Sequence, residues 1–590
     1  VFFQYTEAQW QVPNLYVQKA GDLTMELITE QLRTFPIMAL FLCLGLGYGV
    51  GKFRVGKFEL GGIAGTLLVA VLVGQVGGIN LSTDVQNVFF SLFIFMVGYN
   101  GGPQFFAALN RTALTKLLAA FMMTLWGLFF VIVIARLAGL DKGLAAGLAA
   151  GGLTQSAIIG TAENAIDLLG LAADEAEKLK TNIAVGYAVT YIFGSIGPIL
   201  AVSVIPIILR CDLRQEAIKL AQKLSGGGRK LEEGEFLPLN RFEARAYQVN
   251  DDAKIVNQSI KAIEGEYDGD LVVERLLHDG APADPTPDMT VSAGDVIVVS
   301  GLVATMTRFE GTASGEVGEY PPELAIVEER RNVVITNPKL TGKTLAELRK
   351  ALTAEQRRGV HISKITRMGH DVPVLQNTEI HAGDEVSIVG HKDDLNRVAK
   401  QAGYVPPSAS VTNFIALGIG VAIGYLIGEI SFVIAGTKVA LGSGLGCLVT
   451  GLIIGYLRIR RPKIGGINRG AANFLQSFGL AVFVGVVGLN AGQPALQAIQ
   501  EYGITLLLLG ILVTLMPMIV QFPINYFALR IKNPVEACAV VTGSRSGNPG
   551  FATLLEKAGN STPTPAFTMT YAVANIFLTL WGPLVVAFVP

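Results

Sequence analysis

Thr542-Gly543-Ser544-Arg545-Ser546-Gly547-Asn548-Pro549-Gly550 decides how this chain folds. The stretch interrupts an apolar segment, roughly 534–555, with hydroxyls, an amide and a full positive charge near its middle. A second apolar segment, roughly 143–160, is interrupted in the same place by Gly151-Gly152-Leu153-Thr154-Gln155-Ser156. Non-helical backbone is tolerated at membrane depth only where it is buried in protein or lines a wet cavity. The two interruptions therefore predict re-entrant hairpins whose tips meet near the midplane of a bilayer.

Composition supports a membrane setting. The chain has 590 residues, 51% of them hydrophobic and 16% charged, with mean hydropathy +0.48. An ordinary soluble enzyme carries about a quarter charged residues. The net charge of −1 argues against a nucleic-acid partner, which requires a basic surface. The averages hide a partition. Residues 211–404 hold 31 of the 47 acids and 24 of the 46 bases. All five histidines lie inside that block and all three tryptophans outside it. The expected architecture is an α-helical polytopic membrane body with a soluble insertion in its middle. Cys43, Cys447 and Cys538 lie in apolar stretches and Cys211 at a domain edge, without ligand spacing, so they read as small buried hydrophobes. No metal or cofactor is expected.

Apolar runs fit spans at roughly 35–50, 62–80, 86–106, 113–138 and 181–209, then at 411–429, 433–457, 472–490, 503–529 and 566–589. Loops rich in Lys and Arg belong in the cytoplasm. Lys52, Arg54 and Lys57 mark one such loop, and Arg458, Arg460, Arg461, Lys463 and Arg469 another; Arg111, Lys116, Arg530 and Lys532 agree. The acidic stretch 161–180 belongs outside, with Arg136 and Lys142 as mild exceptions. Only if 143–160 and 534–555 re-enter without crossing do both halves obey this rule. The N-terminus is then external, residues 1–34 form an interfacial segment, and the insertion is cytoplasmic.

The halves echo each other. Leu46-Gly47-Tyr48-Gly49-Val50-Gly51 resembles Ile423-Gly424-Tyr425-Leu426-Ile427-Gly428, and Val97-Gly98-Tyr99-Asn100 resembles Val487-Gly488-Leu489-Asn490. Gly151 to Ser156 lies in register with Thr542 to Gly547. The first half (35–210) starts outside and the second (411–590) inside, which is an inverted-topology repeat, a ground plan of secondary transporters.

That plan names a site. Gly152, Thr154, Gln155 and Ser156 from one tip, and Ser544, Arg545, Ser546, Gly547 and Asn548 from the other, would surround a substrate between helix N-termini. Asn100 and Asn490 either line the same cavity or bridge helices. A central arginine costs roughly 2.5–3.5 kcal/mol on insertion scales and needs a partner. No carboxylate falls at comparable depth, since Glu163, Asp167 and Glu556 lie nearer the mouths. A bound carboxylate, held bidentately, is one partner; backbone carbonyls at a broken helix are the other.

Residues 211–237 read as a linker, followed by two similar modules, 238–311 and 328–401. Ala293-Gly294-Asp295-Val296-Ile297-Val298-Val299 and Ala382-Gly383-Asp384-Glu385-Val386-Ser387-Ile388-Val389 carry the same turn-then-strand signal. These modules resemble the TrkA-C (RCK-C) ligand-sensing domains, which implies a small α/β fold and leaves open a regulatory small ligand.

With these pieces together, the chain resembles the aspartate:alanine exchanger family of bacterial secondary carriers over residues 35–590. The resemblance implies a homodimer in the bacterial inner membrane, surrounded by lipid, carrying small carboxylates. The expected activity is exchange of amino acids or small carboxylates by alternating access, with the hairpins as an elevator-type mobile unit. Na⁺- or proton-coupled uptake of C4-dicarboxylates is the alternative, and an RCK-regulated ion channel a remote one. No constellation of catalytic residues lies in the spans, so an enzyme is not expected.

Overall fold

The computed structural model describes residues 27–55, 58–108, 114–224, 242–310, 316–317, 324, 326, 328–406, 412–434, 437–460 and 466–590. Expectations for residues 1–26, Lys57, Arg111, positions 225–237 of the linker, the first residues of the 238–311 module and positions 461–465 of the basic loop lie outside them.

The first membrane half opens with α1 (Leu27–Thr34) and α2 (Pro36–Gly51), bent by 108°. A short hairpin follows, β1 (Arg54–Val55) and β2 (Phe58–Glu59), then α3 (Gly62–Gly74), α4 (Thr83–Ala108) and α5 (Leu114–Leu137). A broken pair, α6 (Lys142–Gly152) and α7 (Ala157–Asp167), leads into the long α8 (Ala173–Leu209). Where a linker was expected from 211, α9 (Leu213–Leu224) forms instead and stays on the membrane body, burying Leu213, Ala217 and Leu220 in one cluster with Val535 and Phe551.

Two small α/β units come next. The first contains β3 (Phe242–Gln248), α10 (Ile260–Glu266), β4 (Leu271–His278), β5 (Ala281–Ala283), β6 (Val296–Leu302) and α11 (Val303–Glu310). The second contains β7 (Glu328–Ile335), α12 (Leu345–Ala351), α13 (Ala354–Arg357), β8 (Val360–Arg367), β9 (His370–Val372), β10 (Glu385–His391), α14 (Lys392–Ala402) and β11 (Gly403–Tyr404). Their sheets run β3-β6-β4-β5 and β11-β7-β10-β8-β9, one plan used twice. The Gly-Asp pairs form the turns their sequence promises. Gly294 and Gly383 take φ of 90° and 85°, and the next carboxylates accept from Ser292 N at 2.7 Å and His381 N at 2.8 Å. Arg358–Glu264 at 2.7 Å and Arg357–Asp268 at 3.0 Å bridge the two units.

The second unit buries a bidentate ion pair, Arg367 with Asp384, at 2.7 Å through both nitrogens. Breaking a buried pair strands a charge and costs about 3–5 kcal/mol, whereas replacing both partners by apolar groups is often neutral. Arg367→Met should therefore lower the unfolding temperature of this unit in the full chain. Arg367→Met with Asp384→Leu should recover most of the loss, read by differential scanning calorimetry.

The second membrane half repeats the first in order: α15 (Phe414–Gly428), a hairpin of β12 (Ser431–Ile434) and β13 (Thr437–Ala440), α16 (Gly442–Arg460), α17 (Gly470–Gly492) and α18 (Pro494–Ala528). The broken pair α19 (Pro534–Ser544) and α20 (Asn548–Ala558) then precedes α21 (Thr564–Phe588). Among the described residues six helices are long and apolar enough to cross a membrane, and α3 and α15 are shorter apolar helices. The expected span 433–457 is corrected: its first residues form β12–β13, and the helix starts at Gly442. The expected span 62–80 ends as helix at Gly74.

Glycines set how close the helices come, and they do so alike in both halves. A Cβ on Gly65 would collide with the Gly47 carbonyl, and one on Gly446 with the Gly424 carbonyl. A Cβ on Gly151 would strike the Thr190 hydroxyl of α8, and one on Gly543 the Thr570 hydroxyl of α21. Such small-residue contacts let backbones approach where apolar burial gives helices no preference over lipid. Caps match as well. Asp141 accepts from Leu144 N at 2.8 Å to start α6, and Asn533 from Val535 N at 3.0 Å to start α19. One difference stands out: the chain breaks at Gly492, φ 45°, between α17 and α18, whereas α4 continues through Gly101-Gly102-Pro103.

Candidate functional site

A cavity of about 740 Å³ lies between the membrane body and the second α/β unit. Its membrane wall comes from α4 (Tyr99, Asn100, Gln104), α16 (Arg458), α17 (Asn473, Gln476), α20 (Asn548, Ala552) and α21 (Thr568, Tyr571, Asn575). The opposite wall is Met368, Gly369, His370, Gly383 and Glu385. The wall is rich in amides and hydroxyls. Arg458 is its cation from the membrane body, with its guanidinium carbon 4.4 Å from the Tyr99 ring centre. Ile467 N donates to the Tyr99 hydroxyl at 2.8 Å, and Asn100 Nδ2 to Gln476 Oε1 at 2.8 Å, so that wall is held by hydrogen bonds across the two halves.

Behind it the two broken pairs meet tip to tip. Leu153 and Arg545 both end their helices with φ/ψ of −94°/1° and −108°/8°. Thr154 and Ser546 both follow in the left-handed region, at φ 54° and 51°. Gln155 N then bonds Ala150 O at 2.8 Å, and Gly547 N bonds Thr542 O at 2.9 Å. The tips therefore superpose with Gly151 on Gly543. This corrects the expected register of Gly151 on Thr542 by one residue, and Arg545 answers to Leu153 instead of Thr154.

Arg545 is 1% exposed. Its Nη2 donates to Gly152 O at 2.5 Å, and Thr154 Oγ1 donates to Arg545 O at 2.7 Å, so the tips are tied both ways. Thr514 Oγ1 of α18 also donates to Gly152 O, at 2.9 Å. Arg545 Nε and Nη1, and the Ser544 hydroxyl, have no hydrogen-bond partner among the described residues. Glu163 is not the missing partner: its Oε2 accepts from Gln86 at 2.6 Å, and neither Arg545 Nε nor Nη1 bonds to it. Ser546 Oγ donates to Asn575 Oδ1 at 3.1 Å, and Gln155 Nε2 to Asn575 O at 2.9 Å. Asn575 thus joins both tips to the cavity wall. Ser156 Oγ bonds the Tyr187 hydroxyl at 2.7 Å, and Gly547 packs against Pro198.

Of the residues expected at a site, Asn100 and Asn548 line the cavity, and Gly152, Thr154, Gln155, Ser544, Arg545 and Ser546 gather at the tips behind it. Asn490 belongs to neither group. Its side chain clasps Leu81 in the connection that leads into α4, accepting from the backbone N at 3.0 Å and donating to the backbone O at 3.1 Å, so it ties α17 to that connection. Sequence reasoning missed Arg458, read only as an orientation mark, and Gln476, Tyr571 and Asn575, polar residues inside apolar runs.

Residues 39–207 and 416–587 match a family described as Predicted Permease Membrane Region, and residues 331–403 match the TrkA-C domain. The chain is 41% identical to an uncharacterized transporter of Francisella tularensis, over 94% of this chain and 97% of that one. It is 40% identical to an uncharacterized transporter of Zymomonas mobilis, over 96% and 99%. It is 29% identical to an aspartate/alanine antiporter of Tetragenococcus halophilus, over 93% and 97%. No solved structure matches the chain.

Proposed function

The chain belongs to the aspartate:alanine exchanger family of multi-pass membrane transporters, and from that premise we propose that it exchanges small carboxylates or amino acids by alternating access. The observation that carries this reading is Arg545, a fully buried guanidinium between two helix breaks with two of its three nitrogens, Nε and Nη1, unpartnered among the described residues. Leaving such donors unmade costs about 1–3 kcal/mol each. A substrate carboxylate arriving at the tips would take one fork edge, Nε with Nη2 or Nη1 with Nη2, the Nη2 group having a second N–H beside the one it gives to Gly152 O. The N-termini of α7 and α20 face the same breaks without a side-chain cap; Ile158, Ile159 and Asn548 already give their N–H groups to backbone carbonyls and Pro549 has none, so these ends favour an anion chiefly through their dipoles.

The shared order and glycine contacts of the two halves favour an inverted repeat, with α6–α7 and α19–α20 as re-entrant hairpins. The cavity then opens toward the cytoplasm, where the basic residues of both halves belong. The hairpins with α8 and α21 form the moving unit, and a homodimer of the remaining helices forms the scaffold. Exchange of an aspartate monoanion for neutral alanine would carry net charge each cycle.

Arg458 is the cation a substrate meets first. Arg458→Gln should raise the KM for a dicarboxylate about tenfold, as expected for one charge-assisted hydrogen bond. Its effect on a zwitterionic amino acid should be smaller, measured by initial exchange rates in proteoliposomes loaded with L-aspartate, L-alanine or succinate.

A further inference from the structure

Besides Asn377, whose Nδ2 donates to Lys223 O of α9 at 2.8 Å, two turns of the second α/β unit meet the membrane body. Gly383 rests on Pro103, where an added Cβ would lie 3.0 Å from the proline Cβ. The β8–β9 turn reaches further. Met368 and Gly369 line the cavity, and the His370 ring stands edge-on to Phe551 of α20 at 5.2 Å and to Phe567 of α21 at 5.5 Å. These two phenylalanines stack on each other at 3.7 Å. Phe551 belongs to the second broken pair, so the soluble unit grips the element that carries Arg545.

The composition of that turn is informative. Arg367 pairs with His370 and His278 with Ala281, so each unit has a two-residue hairpin loop at this place. Such loops need positive φ at both central residues and favour Asp-Gly or Asn-Gly. The first unit obeys, with Asp279 at φ 50° and Gly280 at φ 76°, and its Asp279 side chain is 90% exposed. The second unit places Met368 at φ 49° before Gly369 at φ 89°. Methionine has no local hydrogen bond to offset the left-handed strain that aspartate tolerates. An apolar side chain at the tip of a hairpin is explained by what it faces, which here is the transport cavity.

We propose that the Met368-Gly369-His370 turn is an autoinhibitory wedge that holds α20 and α21 in this conformation and must withdraw before the second hairpin moves. This rests on the reading of the hairpins as the moving unit. The wedge sets the resting rate, and anything that draws the second α/β unit away from the membrane body raises it.

The test uses the full-length protein in inside-out vesicles. Ala552→Cys, on the cavity wall, is labelled with a membrane-impermeant thiol reagent, and the rate in protein lacking that cysteine is subtracted. Met368→Asp restores the favoured turn and places a charge against the cavity. It should speed labelling at least tenfold and raise labelled L-aspartate counterflow at least threefold. Unchanged labelling in a protein of unaltered melting temperature would overturn the wedge. Should Met368→Asp misfold, Met368→Cys is joined to Ala552→Cys by a cleavable cross-linker. Flux must then fall at least tenfold and return on reduction, and flux indifferent to the cross-link overturns the proposal. Labelling needs no substrate, so a protein that exchanges no L-aspartate yet labels faster retains the wedge and loses the antiport reading.

Discussion

Arg545→Ala is expected to reduce exchange at least 100-fold while the protein stays folded, with an unfolding temperature equal to or above that of the unaltered chain. Two charge-assisted hydrogen bonds to a substrate carboxylate are each worth about 1.5–3 kcal/mol, which sets that scale. The stability half of the prediction has a separate cause. The guanidinium is 1% exposed, has one backbone carbonyl as partner and leaves Nε and Nη1 without one among the described residues. Removing an uncompensated buried charge relieves the fold, as apolar replacement of buried ionic groups often does. Arg545→Met, closer in volume, should show this more clearly. Arg545→Lys keeps the charge but loses the fork, so it should fall between alanine and arginine in transport. If the arginine merely ties Gly152 to the second tip, stability and transport will fall together, and lysine will rescue neither. Reconstituted exchange rates beside thermal unfolding of the same preparations separate the two.

Gly151→Ala and Gly543→Ala should each destabilise the membrane body, by similar amounts. Both would drive a Cβ into a threonine hydroxyl of the next long helix, Thr190 or Thr570, with backbone atoms close behind. Overpacking of a fitted contact costs about 1–3 kcal/mol, and here the neighbour is partly backbone, which cannot rotate away. Gly151→Ala with Thr190→Ala, and Gly543→Ala with Thr570→Ala, should each recover part of the loss. Gly45→Ala and Gly418→Ala, where an added Cβ meets nothing within 4 Å, serve as controls and should stay within about 0.5 kcal/mol. Unequal effects at Gly151 and Gly543 would count against matching hairpins in the two halves.

The sequence disclosed most of the plan because its punctuation is chemical. Glycines next to hydroxyls and Arg545 can sit in an apolar run only at a helix break, and Gly294-Asp295 and Gly383-Asp384 can only be turns. Gly47 and Gly424, and Gly98 and Gly488, matched in sequence and make matching contacts. The tip register slipped by one because Gly-Gly and Thr-Gly align equally well either way. What fixes it is the left-handed backbone at Thr154 and Ser546, which no residue type there announces. β12–β13 stayed hidden because Phe432, Val433 and Val439 suit a strand and an apolar helix alike. The cavity was least legible. Arg458, Asn575 and His370 come from segments far apart in sequence, and nothing local says that the turn after β8 reaches α20.

Counterflow in proteoliposomes tests the central claim most directly. Vesicles preloaded with unlabelled L-alanine, L-aspartate or succinate are diluted into labelled L-aspartate. The account predicts uptake that requires an internal counter-substrate, generates a membrane potential when aspartate exchanges for alanine, and disappears in Arg545→Ala. Uptake into empty vesicles driven by a Na⁺ or proton gradient, or no uptake of any of these carboxylates, would contradict it.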